Sequence, residues 1–266
     1  MTFKIVVDNP EIIKRIFEGV ESIVTETVIN FTKDGMRITN IDGGRVALID
    51  LFLSSEDFSE YKLKEGSENS EIGLSLSDLR KILGRSTKQD KLTMFHKEGT
   101  TDLIIQMERN DGKKRKFTLR LKDVSMPPIK PEQLEAISYN NSFEIDCSVF
   151  IDAIKDCDIY SETMSIIVKE NVFKISAFSN VGELETEIPA DHELLRNYKF
   201  SEEANCTYAN VHIDNAMKMY GLPNVSMAKI YTKQDNPIKI EYNILGKSFV
   251  KYYIAPRIDE FEEEQY

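Results

Sequence analysis

The sequence has little of what most chemistry requires. Its three histidines, His96, His192 and His212, are scattered without the short spacings of metal ligands. Its three cysteines, Cys147, Cys157 and Cys206, are an odd number with no Cys-x-x-Cys pair. That speaks against a disulfide framework and a thiolate zinc site and leaves them as small core residues. No Gly-x-x-x-x-Gly-Lys-Ser/Thr loop and no Gly-x-Gly-x-x-Gly after a strand is present, so nucleotide binding has no motif. No nucleophile, base and acid can be assembled into a triad. Acids are plentiful, yet Glu262, Glu263 and Glu264 read as a solvated tail, and Asp42 before Gly43 and Gly44 reads as a turn residue. The expectation is a non-enzymatic binding module with no metal and no cofactor. No apolar run approaches the roughly 20 residues that a bilayer needs. Met1 to Asp8 lacks the apolar stretch of a signal peptide, so a soluble intracellular protein is expected.

What is present divides in two. At 266 residues and 41% hydrophobic, the chain can build two domains, each with its own core. A net charge of −11 argues against a protein that coats itself on nucleic acid, while leaving room for a local basic patch. Near mid-chain, Leu121 to Ser138 carries Pro127, Pro128 and Pro131, which are expected to hold it extended, as neither regular helix nor interior strand. The expected organisation is an N-terminal domain over residues 1–121, a connector over 122–138 and a C-terminal domain with an acidic tail over 139–266.

In the first part, Phe3 to Val7 alternates as a strand, and Asn9-Pro10 opens a helix with Ile12, Ile13, Ile16, Phe17, Val20 and Ile23 at helical spacing. Thr27 to Thr32, Met36 to Asn40 and Arg45 to Leu53 read as a meander, with turns at Lys33-Asp34-Gly35 and Asp42-Gly43-Gly44. After a polar loop comes a short helix marked by Leu76, Leu79, Ile82 and Leu83, with Arg80, Lys81 and Arg85 on its wet side. Strands at Leu92 to Phe95, Asp102 to Glu108 and Lys116 to Leu121 close this part. Beyond the connector the order recurs. A strand over Ser142 to Ile145 precedes a helix with Phe150, Ala153, Ile154 and Cys157 inward, then strands through Ile166, Phe173 and Leu184. A second helix carries Ile213, Ala216, Met217 and Tyr220. Thr25-Glu26-Thr27-Val28 and Lys33-Asp34-Gly35-Met36 reappear as Ser161-Glu162-Thr163-Met164 and Lys169-Glu170-Asn171-Val172, a period of about 136 residues that indicates duplication. Strands clustered in hairpins make each half an α+β unit, an antiparallel sheet with two helices laid on one face.

Two charge patterns stand out. In Lys113 to Leu121, Phe117, Leu119 and Leu121 share one parity and send Lys114, Lys116 and Arg120 to the other face. In Val181 to Ile188, Leu184 and Ile188 point in while Glu183, Glu185 and Glu187 point out. Two readings stand side by side: charged edge strands that resist aggregation, or a head-to-tail contact between identical subunits that closes a ring. The wet helix faces carry Lys14, Arg15, Lys81, Arg85, Lys155 and Lys218 mixed with Glu11, Glu18, Asp152 and Asp214. By charge alone these read first as ordinary solvated helix faces; a basic patch interleaved with acids cannot carry tight binding to many phosphates, though it could carry loose contact.

The C-terminal phrase Lys251-Tyr252-Tyr253-Ile254-Ala255-Pro256-Arg257-Ile258-Asp259-Glu260 and the run Asn40-Ile41-Asp42-Gly43-Gly44-Arg45-Val46-Ala47-Leu48-Ile49-Asp50-Leu51 resemble proliferating cell nuclear antigen, the sliding DNA clamp of archaea and eukaryotes. Arg45-Val46 and Ala255-Pro256-Arg257 are closer to its archaeal branch. The resemblance implies an α+β ring of three subunits built from tandem repeats of the clamp fold, with antiparallel sheets outside and two helices per repeat lining a hole for double-stranded DNA. It implies DNA-facing roles for Lys14, Arg15, Lys81, Arg85, Lys155 and Lys218. The subunit interface would use Lys114, Lys116 and Arg120 against Glu183, Glu185 and Glu187. A partner-peptide groove under the connector would use Ile41, Arg45, Val46, Leu48, Leu134, Pro237, Tyr253, Ala255 and Pro256, with Ile129 and Leu134 as the connector's inward apolar residues. The implied function is a processivity factor in DNA replication and repair that tethers DNA polymerase, flap endonuclease and DNA ligase and is loaded by an ATP-driven clamp loader of the replication factor C type. It would act in an archaeal cytoplasm at the nucleoid, or in the nucleus if the source is eukaryotic. The alternative is a checkpoint-type clamp subunit of a heterotrimer that signals damage.

Overall fold

The computed structural model describes residues 1–67, 69–125, 129–223 and 225–257. The expected acidic tail therefore lies outside the described residues. The first half runs β1 (Phe3–Val7), α1 (Pro10–Glu21), β2 (Glu26–Thr32), β3 (Gly35–Ile41), β4 (Ala47–Ser54), β5 (Glu60–Leu63), β6 (Ser70–Ser75), α2 (Leu76–Leu83), β7 (Asp90–His96), β8 (Asp102–Arg109) and β9 (Lys114–Arg120). A short helix α3 (Pro131–Glu135) follows. The second half runs β10 (Asn141–Asp146), α4 (Cys147–Cys157), β11 (Thr163–Lys169), β12 (Val172–Ser179), β13 (Gly182–Pro189), β14 (Leu195–Lys199), β15 (Ala204–Ala209), α5 (Asn210–Met217), β16 (Met227–Thr232), β17 (Ile238–Leu245) and β18 (Ser248–Ile254). The two halves have the same order of strands and helices throughout, as duplication predicts.

Among the described residues all strand pairs are antiparallel and form three sheets, ordered β5-β1-β7-β8-β9, β14-β10-β16-β17-β18-β4-β3-β2-β6 and β13-β12-β11-β15. The middle sheet joins the halves, because β18 pairs with β4 from Phe249↔Phe52 to Ile254↔Ala47. Its counterparts, β9 and β13, each end a sheet.

Apolar periodicity places the helices. Ile13, Ile16, Phe17 and Val20 of α1 are buried, as are Leu76, Leu79 and Leu83 of α2 and Phe150, Ala153, Ile154 and Cys157 of α4. Each fully buried Val, Leu, Ile or Phe among them contributes about 1.5–3 kcal/mol. Ser75 caps α2 by accepting from the Asp78 amide at 3.2 Å, and Asp146 caps α4 by accepting from the Ser148 amide at 2.9 Å. Asn9 makes no side-chain cap; α1 begins on Pro10, whose fixed φ suits a first helical residue. α1 packs with α2 and α4 with α5. The pairs meet where Arg15 donates to the Gly221 carbonyl at 3.2 Å and Met219 lies over Gly19, so the helices share one face of the molecule.

Several expectations are corrected. The connector is not extended throughout: Pro131 sits in the first turn of α3, where a proline costs no hydrogen bond. The supposed polar loop after β4 contains β5 and β6, whose polar sequences hid them. β4 starts at Ala47, not Arg45, and is buried on both faces, because the connector side is covered as well as the core side. Tyr220 lies beyond α5 and is 43% exposed rather than inward. The repeated phrases match one residue out of step. The hairpins close at Thr32↔Gly35 and Lys169↔Val172, which aligns Thr32 with Lys169 rather than with Val168. In a strand, a one-residue slip exchanges the faces.

Candidate functional site

The side of the middle sheet away from the core carries in-register rows. Ile41 faces Leu48, Leu48 faces Tyr253, Tyr253 faces Lys239 and Lys239 faces Tyr231, so five neighbouring strands contribute one half-apolar row. The next row holds Thr39, Asp50, Lys251, Glu241 and Lys229. Asp50 is 1% exposed, and Arg37 grips it through Nε to Oδ1 at 2.7 Å and Nη2 to Oδ2 at 2.6 Å, with the Thr39 hydroxyl donating to Oδ1 at 3.0 Å. Burial works against the charge of Arg37, but the hydrogen bond and charge of Asp50 outweigh it and raise its pKa. Lys239 is held 3.6 Å from the Tyr231 ring and 5.4 Å from the Tyr139 ring, and burial lowers its pKa.

The connector crosses this face. Lys251 Nζ donates to Glu135 Oε1 of α3 at 3.2 Å, and Tyr139 packs on Tyr231 with ring centroids 5.7 Å apart. Ile129 and Leu134 are half-buried on the connector. Of the expected groove residues, Ile41, Leu48 and Tyr253 share a row, and Val46 and Ala255 are joined where the Ala255 amide donates to the Val46 carbonyl at 2.8 Å. Pro237 directly precedes β17, whose first residue Ile238 faces Ile254, and Pro256 is half-buried just past β18. Arg45 stands in the loop with φ 57°, a left-handed conformation taken by the arginine and by neither adjacent glycine. Asp42 fixes that loop through Oδ1, which accepts from the Val46 and Ala47 amides at 2.7 and 2.9 Å. A hollow of about 580 Å³ opens on the far side of the loop, lined by Ile23, Val24, Asn40, Ile41, Arg45 and Val124 among others. Sequence reading missed Tyr139, Tyr231 and Lys239. Their only signal is the strand register, which needs the pairing to be known.

At the free sheet edges, Lys114, Lys116 and Arg120 are exposed on β9, and Glu183, Glu185 and Glu187 are exposed on β13. Some are already engaged: Lys114 pairs with Glu108 at 2.8 Å, Arg120 with Asp102 at 3.8 Å, and Lys174 of β12 with Glu185 at 3.3 Å and with Glu187. The repeat relates these edges to the internal joint. Arg37 of β3 and Lys174 of β12 hold the same hairpin position and face Phe52 and Glu187, so Asp50 corresponds to Glu185. The chain leaves β9 through Lys122, whose amide donates to Gly73, and leaves β18 through Arg257, whose amide donates to Thr207. Lys116 therefore corresponds to Lys251.

On the helical face, Arg15, Lys81, Arg85, Lys155 and Lys218 are exposed and Lys14 is half-buried. Lys81 pairs with Asp78 at 3.0 Å, Lys155 with Asp152 at 3.2 Å, and Lys218 donates to Asn215 at 2.7 Å. Arg80 is spent on Glu21 at 2.6 Å. Cys147, Cys157 and Cys206 are free and buried; burial pushes the Cys147 thiol up to about 12 and Cys157 to about 11. Among the described residues no group of three or more potential ligands could hold a metal, and no helix is long and apolar enough to cross a membrane.

Residues 2–127 match the family model described as proliferating cell nuclear antigen, N-terminal domain. A Methanococcus vannielii protein named DNA polymerase sliding clamp is 28% identical over 254 residues, covering 94% of this chain and 97% of that protein. One of the same name from Pyrococcus furiosus is 26% identical over 260 residues, covering 98% of this chain and 100% of that protein. The crystal structure of PCNA from Thermococcus kodakaraensis superposes with a TM-score of 0.86 at 22% identity, over 96% of this chain and 100% of that one, and so shares the fold.

Proposed function

We infer that this chain, whose first half belongs to the proliferating cell nuclear antigen family, is a DNA polymerase sliding clamp, a ring through which duplex DNA runs. The observation that carries the reading is the joint inside the chain. β18 and β4 pair, while their counterparts β9 and β13 each end a sheet. Applying the internal register to two copies sets Lys116 opposite Glu185, Lys114 opposite Glu187 and Phe117 opposite Leu184. Unlike charges then face each other outside and apolar side chains inside. A contact repeated head to tail closes when its rotation permits, and we read the closed form as a homotrimer. Residues 1–121 and 139–266 are its two clamp domains, and residues 122–138 the connector. The relatives named above support the replicative reading and not the checkpoint-type heterotrimer.

Function then follows from topology rather than from bond chemistry. A closed ring stays on DNA without gripping it, so weak contacts from cations of the helical face, Lys14, Arg15, Lys81 and Arg85 among them, permit sliding. The groove around Ile41, Arg45, Val46, Leu48, Ile129, Leu134, Pro237, Tyr253, Ala255 and Pro256 takes a short partner segment with aromatic anchors. Polymerase, flap endonuclease and ligase tethered there gain a high effective concentration at the primer end. The clamp catalyses nothing itself. A replication factor C type loader supplies the ATP chemistry of opening, and the setting is intracellular, at the nucleoid. The test is light scattering on the purified protein together with primer extension on singly primed circular DNA, with loader and polymerase. A trimer that lengthens extension products is expected; a monomer at micromolar concentration, or a trimer without effect, overturns the reading.

A further inference from the structure

The helical face is not electrically uniform. Along α1, α2 and the turn to Arg85, the exposed charged residues are Arg15, Arg80, Lys81 and Arg85, while the acids Glu11, Glu18, Glu21 and Asp78 are all half-buried. Along α4, α5 and their C-terminal caps the order is inverted. Asp152, Asp156, Asp158 and Asp214 are exposed, against Lys155 and Lys218. Lys155 is held by Asp152 just as Lys81 is held by Asp78, and Lys218 turns to Asn215, so the difference between the faces lies in the balance of exposed charges.

The two halves also differ in the cleft between their helices. In the first, Glu21 bridges it, bonded to Ser77 Oγ at 2.9 Å and paired with Arg80 at 2.6 Å. In the second, Asn210 at the head of α5 donates to Asp158 Oδ1 at 2.7 Å, and beside this bond lies an open cleft of about 490 Å³ lined by the acids Asp158, Glu162 and Asp214, the cations Lys155 and Arg257, and Ile151 and Val211 among others. Val211 is 59% exposed there, and Ile159 at the end of α4 is 69% exposed. Three carboxylates against two cations, one of which is already paired with Asp152, leave that wall acidic on balance and poorly suited to a phosphate.

We propose that duplex DNA is carried by the first repeat of each chain alone, the α1/α2 face, and held off by the α4/α5 face of the second repeat. This rests on the sliding-clamp reading and deepens it: basic and acidic sectors alternate around the hole, and the DNA backbone contacts only every other repeat. Because phosphate affinity follows the number of cations released to it, exposed acids in half of the sectors weaken the grip without abolishing it. The α4/α5 face then keeps the duplex off one wall.

The test compares three variants of the assembled trimer, each verified by light scattering, for binding a short linear duplex that can thread the hole from its end. Binding is read by fluorescence anisotropy over a range of salt. Lys81→Ala with Arg85→Ala removes two cations from the first repeat; Lys155→Ala with Lys218→Ala removes two from the second; Asp152→Asn, Asp156→Asn and Asp214→Asn neutralise the second repeat's acids. The first-repeat variant is expected to lose at least about threefold more affinity than the second-repeat variant, with a flatter salt dependence, and the acid-neutralised variant is expected to bind more tightly than the parent. A difference below threefold between the two cation variants, or unchanged binding by the acid-neutralised one, overturns the proposal. A parent trimer that binds no duplex, or a parent that is no trimer, removes the clamp reading itself and this inference with it.

Discussion

Lys251 stands directly opposite Asp50 across the strand joint between the two halves, and the repeat puts Lys116 and Glu185 in the same two places at the free edges. A lysine facing a carboxylate thus recurs at the position that a neighbouring subunit would complete.

The first prediction concerns that edge. Changing Glu183, Glu185 and Glu187 to lysine should yield monomers, since cations would then face Lys114 and Lys116 and the internal pairs with Lys174 would be lost. Restoring the match with Lys114→Glu and Lys116→Glu in the same chain should return the trimer by light scattering at low salt. A trimer that survives the triple reversal refutes the charge pairing.

The groove gives the second. Ala255→Arg thrusts a long cation beside Val46, and Leu134→Glu places a charge on α3. Either should weaken a partner's terminal peptide by about 2 kcal/mol or more in calorimetry while the trimer persists. Full-strength binding by both variants would place the peptide elsewhere.

Asp90 supplies a pH dependence. It is 1% exposed; Arg115 donates to its Oδ2 at 2.7 Å, the Thr87 amide at 2.7 Å and the Thr87 hydroxyl at 2.9 Å. Burial disfavours its charge, yet these bonds prevail and lower its pKa. A carboxyl with a lowered folded pKa contributes stability above its unfolded value of about 4, and that stability is lost as pH falls through the lower folded value. Asp90→Asn should destabilise the chain by about 3–5 kcal/mol at neutral pH and flatten this part of its acid denaturation curve, read by urea midpoints at several pH values.

Arg45 tests the loop. Its φ of 57° is strained for a side chain with a Cβ, and Arg45→Gly should raise thermal stability by up to about 1 kcal/mol through relief of that strain. If calorimetry shows a lower melting point, the arginine side chain contributes more than its backbone costs.

The duplication, the helix faces and the two charged edges were legible because each follows from a period: 3.6 residues for helices, two for strands, and a long repeat for the halves. β5, β6, β14 and β15 escaped because they are short and hold only two to four apolar residues each. Tyr61 and Leu63, Ile72 and Leu74, Leu195 and Tyr198, and Ala204, Cys206, Tyr208 and Ala209 are too few to set a period against the polar residues around them. The row Ile41, Leu48, Tyr253, Lys239 and Tyr231 was only partly legible. Its members lie up to 212 residues apart and meet through register, which hydropathy does not encode. The one-residue slip in the repeat has the same origin: similar letters aligned Thr27 with Thr163, while the fold matches the buried Thr27 to the buried Met164.

The internal joint has a mechanical corollary. A closed circle built from such chains would contain two kinds of seam with the same strand geometry but different fastening. The β4·β18 seam has its halves leashed by the connector, so a rupture there re-forms at once against a partner that cannot diffuse away. It is further clamped by the Phe52–Phe249 ring contact, with centroids 5.5 Å apart, and by Tyr253 opposite Leu48. The β9·β13 seam has Thr118 where the other has Tyr253, and no leash. Any force that opens the circle would therefore part it between chains, leaving every chain whole and ready to close again.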